Sequence, residues 1–272
     1  MQRLFVANKP RGVSSNFYLG RLKKKYGVKK AGFSGTLDPF ATGALIVAFG
    51  SYTKLFRFLN KEPKRYRATI WIGASSPTLD IEKIEKIELS PTLKLDFINS
   101  CLEKLKGDIC YTPPKFSAKK VAGKRAYALA RAKEEFELKS VKMSIFDVKL
   151  ISYMHPFLTI ELSVSQGAYV RSYAQLFGQM IGQNAILSAL CRLSEGEFKF
   201  QNEKALNPLN YLNLRENFYN LDKNDILLGK KLEVKNFQIK DDGEYLVKNG
   251  DLITIFEFRD GAVNYLLNRF EI

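Results

Sequence analysis

A single aspartate lies in a glycine-rich segment near the N-terminus. Asp38 is flanked by Gly32, Gly35 and Gly43 and is followed by Pro39. Glycine lets the backbone adopt positive φ and lets a ligand approach closely, while Pro39 disfavours a helical conformation at Asp38. The segment matches neither a phosphate-binding P-loop nor a GxGxxG dinucleotide motif. A carboxylate held in such a loop can act as a nucleophile, or it can form a cap or an ion pair that only stiffens the loop.

The scarcity of histidine excludes several kinds of catalytic site. The chain has one histidine, His155, so a Ser-His-Asp triad, an HExxH site and a Cys/His zinc cluster are not expected. Any general acid or base would then be Asp, Glu, Tyr or Lys. The three cysteines, Cys101, Cys110 and Cys191, form no CxxC pair, which is typical of reduced thiols in a cytosol. No signal peptide or membrane span is expected, so the sequence predicts a cytoplasmic protein.

Positive charge is concentrated in stretches that contain no acidic residue. The 272 residues include 43 Lys or Arg and 28 Asp or Glu, which gives a net charge of +15. Residues 1–37, 109–133 and 162–194 carry no acid, whereas residues 221–272 have eight basic and ten acidic residues. One basic run can be no more than a solvated helix face. Three acid-free stretches in one chain favour a surface that contacts nucleic-acid phosphates.

The elements that must position Asp38 show no regular βαβ rhythm. We predict a helix between Ser14 and Gly27 and a long loop over residues 31–43. Apolar spacing predicts strands over residues 3–7, 44–49, 64–73 and within 141–164, and helices over 93–105, 121–132, 169–181 and 186–193. Turn signals in the tail predict a small β-rich unit. The mixture favours an α+β fold with a mixed, largely antiparallel sheet.

Five segments, in order along the chain, resemble motifs of the TruB family of tRNA pseudouridine synthases. The strongest is GTLDPFATG at residues 35–43. The others are KPRGVSS at 9–15, KRY at 64–66, the block from Pro114 to Tyr127, and SQGAYVRS at 165–172.

The resemblance implies isomerisation of uridine to pseudouridine at position 55 in the T arm of tRNA, with neither a metal nor an organic cofactor. It implies a pseudouridine synthase catalytic domain over residues 1–222. An RNA-clasping insertion at about 109–140, mobile without RNA, would lie within that domain. A short PUA-like RNA-binding domain would cover residues 227–272.

The resemblance also assigns roles to the residues of the site. Asp38 matches the nucleophile, and attack on uracil C6 and on ribose C1′ both remain open. Tyr66 matches the tyrosine that stacks on the target base, and it is a candidate for removing the proton at C5. Arg171 matches the arginine that pairs with the aspartate.

Further positions near the site are matched less strongly. Tyr169 and Leu190 match pocket residues, and Lys9 and Lys54 fall where the family has basic residues. Phe33 stands where the family has a histidine. Its ring can stack or wedge against RNA, but the histidine's hydrogen bonding is lost.

Two other functions remain open. A non-catalytic RNA-binding or tRNA-folding chaperone is one, although Asp38, Tyr66 and Arg171 together count against it. A catalyst within a guided ribonucleoprotein is the other, although no lysine-rich tail supports it. We expect a monomer, because no coiled-coil seam is present.

Overall fold

Seventeen β-strands and five α-helices are found in the computed structural model, which describes residues 1–272. The strands are β1 (Arg3–Lys9), β2 (Ala31–Ser34), β3 (Thr42–Phe49), β4 (Lys64–Ile72), β5 (Ala74–Ser75), β6 (Lys86–Ile87), β7 (Gly107–Tyr111), β8 (Lys120–Val121), β9 (Lys124–Arg125), β10 (Val141–Met154), β11 (Phe157–Val164), β12 (Ala185–Glu195), β13 (Phe198–Lys199), β14 (Arg215–Glu216), β15 (Gly243–Asn249), β16 (Leu252–Arg259) and β17 (Ala262–Glu271). The helices are α1 (Ser15–Tyr26), α2 (Leu95–Lys104), α3 (Ala126–Arg131), α4 (Val170–Met180) and α5 (Asn224–Leu227). Short 3₁₀ helices cover Gly50–Arg57, Pro208–Tyr211 and Val234–Asn236.

Nine strands form a mixed, largely antiparallel sheet, which confirms the predicted α+β class. The order is β1-β3-β12-β4-β11-β10-β7, with β2 paired to β3 and β13 paired to β12. The pairing of β3 with β12 is parallel, and the other pairings in this sheet are antiparallel. Strand β3 pairs with β2 at residues 46–49 and with β12 at residues 42–43. The loop that carries Asp38 therefore joins β3 at the point where β12 pairs with β3.

The main core lies between the centre of this sheet and the helices α2 and α4. Buried residues alternate along β4, so that Tyr66, Ala68 and Ile70 belong to the same apolar cluster as Tyr173 and Phe177 of α4. This alternation follows from the two-residue period of a strand with one face on the core. A separate cluster joins α1 to β1 and β3. The central strands of the sheet are thus held against α2 and α4 by the burial of their apolar side chains.

A second sheet lies at the C-terminus in the order β14-β15-β16-β17. Its hairpins turn at Asn249-Gly250 and Asp260-Gly261, which are two of the predicted turn signals. Leu55 and Phe58, at the 3₁₀ helix after β3, share an apolar cluster with residues of β15, β16 and β17. The two sheets are therefore packed together through this helix. Strand β14 joins the second sheet before the boundary predicted at residue 222.

The prediction of a helix over residues 186–193 is wrong, because this segment is the middle of β12. Its Leu and Ala residues favour a helix locally. In the protein the segment pairs along β4 and also meets β3, so both edges are hydrogen-bonded within the sheet. Long-range strand pairing overrides the local preference here.

Two other predicted elements are shorter than expected. Residues 31–34 of the predicted loop form β2, because they pair with β3. The predicted helix over 121–132 is restricted to α3, since residues 120–125 form a β8–β9 hairpin. Ala122 and Gly123 both have positive φ in its turn, which a helix does not allow. Separately, none of the helices is long and apolar enough to cross a membrane.

Candidate active site

Asp38 and Arg171 form an ion pair at the edge of a cavity. Asp38 is carried by the loop between β2 and β3, and Arg171 lies in the first turn of α4. Nε of Arg171 is 2.9 Å from Oδ2 of Asp38, and the side chains are 3% and 32% exposed, respectively. The arginine is therefore fixed in the protein interior while the carboxylate still reaches solvent. Such a guanidinium orients the carboxylate.

The remaining nitrogens of Arg171 are held by two other segments. Nη1 donates to the carbonyl oxygen of Thr78 at 2.7 Å and to Oδ2 of Asp80 at 3.5 Å. Nη2 donates to the carbonyl oxygen of Phe116 at 3.1 Å. Burial raises the pKa of Asp80, against the opposing effect of the hydrogen bond from Thr78. Because Nη1 and Nη2 are held from two other segments, the guanidinium is fixed in place, with Nε 2.9 Å from Oδ2 of Asp38.

A cavity of about 210 Å³ opens beside Asp38. Tyr66 of β4 and Leu190 of β12 lie in its wall, and Tyr169, which precedes α4, lies at the same cavity. Tyr66 is largely buried, with 7% of its surface exposed. The cavity is smaller than the pockets that bind drug-sized ligands, whose volumes are roughly 300–1,000 Å³. Its size and aromatic lining suit one flat heterocyclic ring.

A second cavity of about 340 Å³ shares Asp38 and Arg171 with the first. Phe33 of β2 lines it, together with Tyr127 and Arg131 of α3. The loop residues Phe116, Ser117 and Ala118 also line it. The lysine-rich segment after β7 thus forms part of the wall around the aspartate.

Lys9 contacts the backbone of the Asp38 loop from the protein interior. It is completely buried, and its Nζ donates to the carbonyl oxygens of Pro10 at 2.9 Å, Val13 at 2.7 Å and Pro39 at 3.4 Å. Burial lowers the pKa of Lys9 to about 8, with the charge of Asp38 opposing this effect. Lys9 therefore ties the residue after Asp38 to the loop that follows β1.

Seven of the eight site residues singled out from the sequence lie at or beneath the two cavities. Lys54 is the exception, because it is exposed on the 3₁₀ helix after β3 and lines neither cavity. Sequence reasoning did not single out Arg192 and Glu195, which are buried below the Asp38 loop. The one sequence signal for this pair is that the acid-free stretch 162–194 contains Arg192 and is followed directly by Glu195. No group of three or more His, Cys, Asp or Glu side chains is arranged to hold a metal ion.

Solved structures with the same architecture identify the class of fold. A chain in the crystal structure of a Cbf5-Nop10-Gar1 complex superposes with a TM-score of 0.71 at 18% identity, covering 98% of this chain and 85% of that one. A chain in the structure of an H/ACA RNP bound to a substrate RNA containing 2′-deoxyuridine superposes with a TM-score of 0.68 at 16% identity. It covers 99% of this chain and 84% of that one. The fold is that of the pseudouridine synthases.

Sequence comparison then gives the family. The model of the TruB family pseudouridylate synthase N-terminal domain matches residues 23–170. A protein of Campylobacter concisus (strain 13826) named tRNA pseudouridine synthase B is 55% identical over 271 residues, covering 100% of this chain and 99% of that protein. A protein of the same name from Sulfurimonas denitrificans (strain ATCC 33889 / DSM 1251) is 49% identical over 272 residues and is covered completely. The chain belongs to the TruB family and is a pseudouridine synthase.

Proposed function

We propose that this protein isomerises uridine 55 in the T arm of tRNA to pseudouridine, with Asp38 as the nucleophile. The observation that carries the proposal is the 2.9 Å ion pair between Asp38 and the buried Arg171, at the edge of a cavity of single-base size. The names of the relatives give tRNA as the substrate class. Such a reaction breaks the bond from C1′ to N1 and forms a bond from C1′ to C5. The C5 proton leaves and N1 gains a proton, so the overall composition is unchanged.

In this proposal the target base leaves the RNA stack before the chemistry. A base stacked inside a folded arm cannot reach a carboxylate at the edge of a protein cavity, and enzymes that act on bases solve this by flipping the nucleotide out. The ring of Tyr66 lies in the cavity wall and offers a face for stacking. Its hydroxyl is the candidate that removes the C5 proton. Asp38 attacks C6 or C1′, and Arg171 orients its carboxylate.

The surroundings of the site fit a polyanionic substrate. The acid-free stretches 1–37 and 109–133 carry the basic residues that would contact phosphates, and such contacts position RNA without reading its sequence. Phe33 lies in the second cavity beside Asp38, where its ring can stack against an RNA base. The same cavity is walled by the segment that follows β7, which we propose as the RNA-clasping insertion at about 109–140.

The proposal also covers the organisation of the chain. Residues 1–222 form the catalytic domain, apart from β14, which pairs with the second sheet, and residues 227–272 form a short PUA-like domain that binds RNA. The enzyme works as a monomer in the cytoplasm on free tRNA, without a cofactor or metal.

The test is pseudouridine formation in an unmodified tRNA transcript, mapped at single-nucleotide resolution. Wild type is expected to convert one T-arm uridine, and Asp38→Ala and Asp38→Asn are expected to bind the transcript without converting it. Asp147→Asn is the matched control, because Asp147 is an exposed acid on β10. Tight, salt-sensitive binding by wild type without any conversion would instead support the chaperone function.

A further inference from the structure

A buried ion pair lies directly beneath the loop that carries Asp38. Nη2 of Arg192 is 2.9 Å from Oε1 of Glu195, and the side chains are 1% and 0% exposed. The other oxygen of Glu195 is 3.1 Å from Nζ of Lys64, which stands opposite Glu195 in the pairing of β4 with β12. Burying such charges is costly, and apolar residues of the same volume often stabilise a protein equally well. The pair therefore calls for an explanation other than stability.

The side chain of Arg192 reaches both ends of the Asp38 loop. Its Nη2 donates to the carbonyl oxygen of Gly35 at 2.8 Å, and its Nε donates to the carbonyl oxygen of Ala44 at 2.8 Å. These two carbonyl groups enclose the segment that contains Asp38. One planar guanidinium thus sets the distance between the start and the end of the loop. A lysine has a single ammonium group and cannot reproduce this fork.

The two glycines that bound the loop fit this arrangement. Gly35 has a φ of +68°, and a Cβ there would lie 2.7 Å from Oε2 of Glu195. Gly43 pairs with Arg192 in the parallel register of β3 and β12, and a Cβ there would lie 2.2 Å from the carbonyl oxygen of Arg192. Neither site can accommodate a side chain without displacing the pair or the strand. The loop ends are therefore packed against Arg192 and Glu195 as well as hydrogen-bonded to them.

Arg192 acts at a distance from the reacting atoms. It lines neither cavity, so a bound base would not touch it. Any effect of Arg192 on the reaction must therefore pass through the loop, which positions Asp38 for its ion pair with Arg171 of α4. A displacement of a reacting group by about 1 Å can slow an enzyme about 100-fold.

We propose that Arg192 is a positioning residue for the isomerisation: its guanidinium fixes the two ends of the Asp38 loop, and Glu195 fixes the guanidinium. The inference rests on the proposed role of Asp38 as nucleophile. It predicts that disturbing the pair slows the chemical step while leaving tRNA binding intact.

The test compares Arg192→Lys, Glu195→Gln and the double variant Arg192→Met/Glu195→Gln with wild type. Glu195→Gln changes the charge but not the volume, so it is the variant best able to keep the fold. The control is the double variant Arg67→Met/Glu161→Gln, which removes a cross-strand pair of β4 and β11 outside the site. For each protein the thermal midpoint, the dissociation constant for tRNA and the single-turnover rate with saturating enzyme are measured.

We expect Arg192→Lys and the double variant to react about 10- to 100-fold more slowly, and Glu195→Gln several-fold more slowly. Dissociation constants should change less than about threefold, and the control pair should react at the wild-type rate. The inference is overturned if folded Glu195→Gln and Arg192→Lys react at the wild-type rate, or if the control pair slows equally. Asp38→Asn separates the two proposals: if it still turns over, the role of Asp38 fails, whereas an inactive Asp38→Asn beside fully active Arg192 variants refutes only the positioning role.

Discussion

Arg171 reaches Asp38 from the first turn of helix α4, with Nε 2.9 Å from Oδ2. A cation at this end of a helix is disfavoured by the helix dipole. Here the unfavourable position is offset by Asp38 and Asp80 and by the carbonyl oxygens of Thr78 and Phe116. The arginine thereby connects the aspartate loop, the Thr78–Asp80 turn and the segment that follows β7.

Replacing Arg171 should damage both stability and turnover. Arg171→Met leaves the buried Asp80 without its cation, and breaking a buried pair in this way costs about 3–5 kcal/mol. Arg171→Lys keeps the charge but loses the fork, so we expect turnover to fall about 100-fold. Urea unfolding and single-turnover rates measure the two effects. An Arg171→Lys enzyme with the wild-type rate would contradict the orienting role.

Tyr66→Phe should separate stacking from proton transfer. The ring is retained, so the dissociation constant for tRNA should change less than about threefold. Loss of the hydroxyl should slow turnover at least about 100-fold, the lower range for a general acid–base group. Release of tritium from tRNA labelled at uracil C5 reports the step. Wild-type tritium release by Tyr66→Phe would exclude the hydroxyl as the base.

Phe33 and Lys54 should differ in their effect on RNA binding. Phe33 lies in the second cavity, whereas Lys54 is exposed and lines neither. Phe33→Ala should weaken tRNA binding about 5- to 20-fold, as expected for loss of one stacked base. Lys54→Ala should have at most a small, salt-dependent effect. Filter binding at two salt concentrations distinguishes them, and equal losses would argue against stacking by Phe33.

Lys9 should make stability rise with pH in the alkaline range. Burial lowers its pKa from 10.5 to about 8, so between these values the unfolded chain holds a proton that the folded protein has released. The free energy of unfolding then increases with pH. Between pH 7.5 and 9.5 the wild type should gain about 1–2 kcal/mol relative to Lys9→Met. Urea unfolding at both pH values measures this difference. Lys54→Met, at an exposed lysine, should show no such difference from wild type.

Hydrogen exchange should show whether the segment after β7 moves without RNA. Residues 109–111 belong to β7 of the main sheet, and beyond them the segment up to β10 contains only two two-residue strands and α3. Its amides should exchange faster than those of β12, because few backbone hydrogen bonds protect them. Saturating tRNA should slow this exchange and leave β12 unchanged. Exchange in this segment that does not respond to tRNA would refute the clasping role.

The sequence by itself determined the candidate site residues and much of the framework. Gly, Pro and Asp in one short segment, together with the ordered motifs, are sufficient to indicate the family. Periodicity located β1, β3, β4 and α4, because each of these elements has a strong local pattern. The cap at Ser14, whose Oγ accepts from the amide of Phe17, was readable for the same reason.

Only the tertiary structure decided what lies beneath the Asp38 loop. Residues 186–193 have a helical pattern locally, but they form the middle of β12 because they pair with β4 and β3. These partner strands lie far away in the sequence. That same pairing buries Arg192 and Glu195 under Gly35 and Gly43. Local propensity does not tell which distant strand will form hydrogen bonds with a given strand. It also does not tell which carbonyl oxygen will accept a hydrogen bond from a buried guanidinium. The residues that carry charge were visible in the sequence, but their partners were set by the fold.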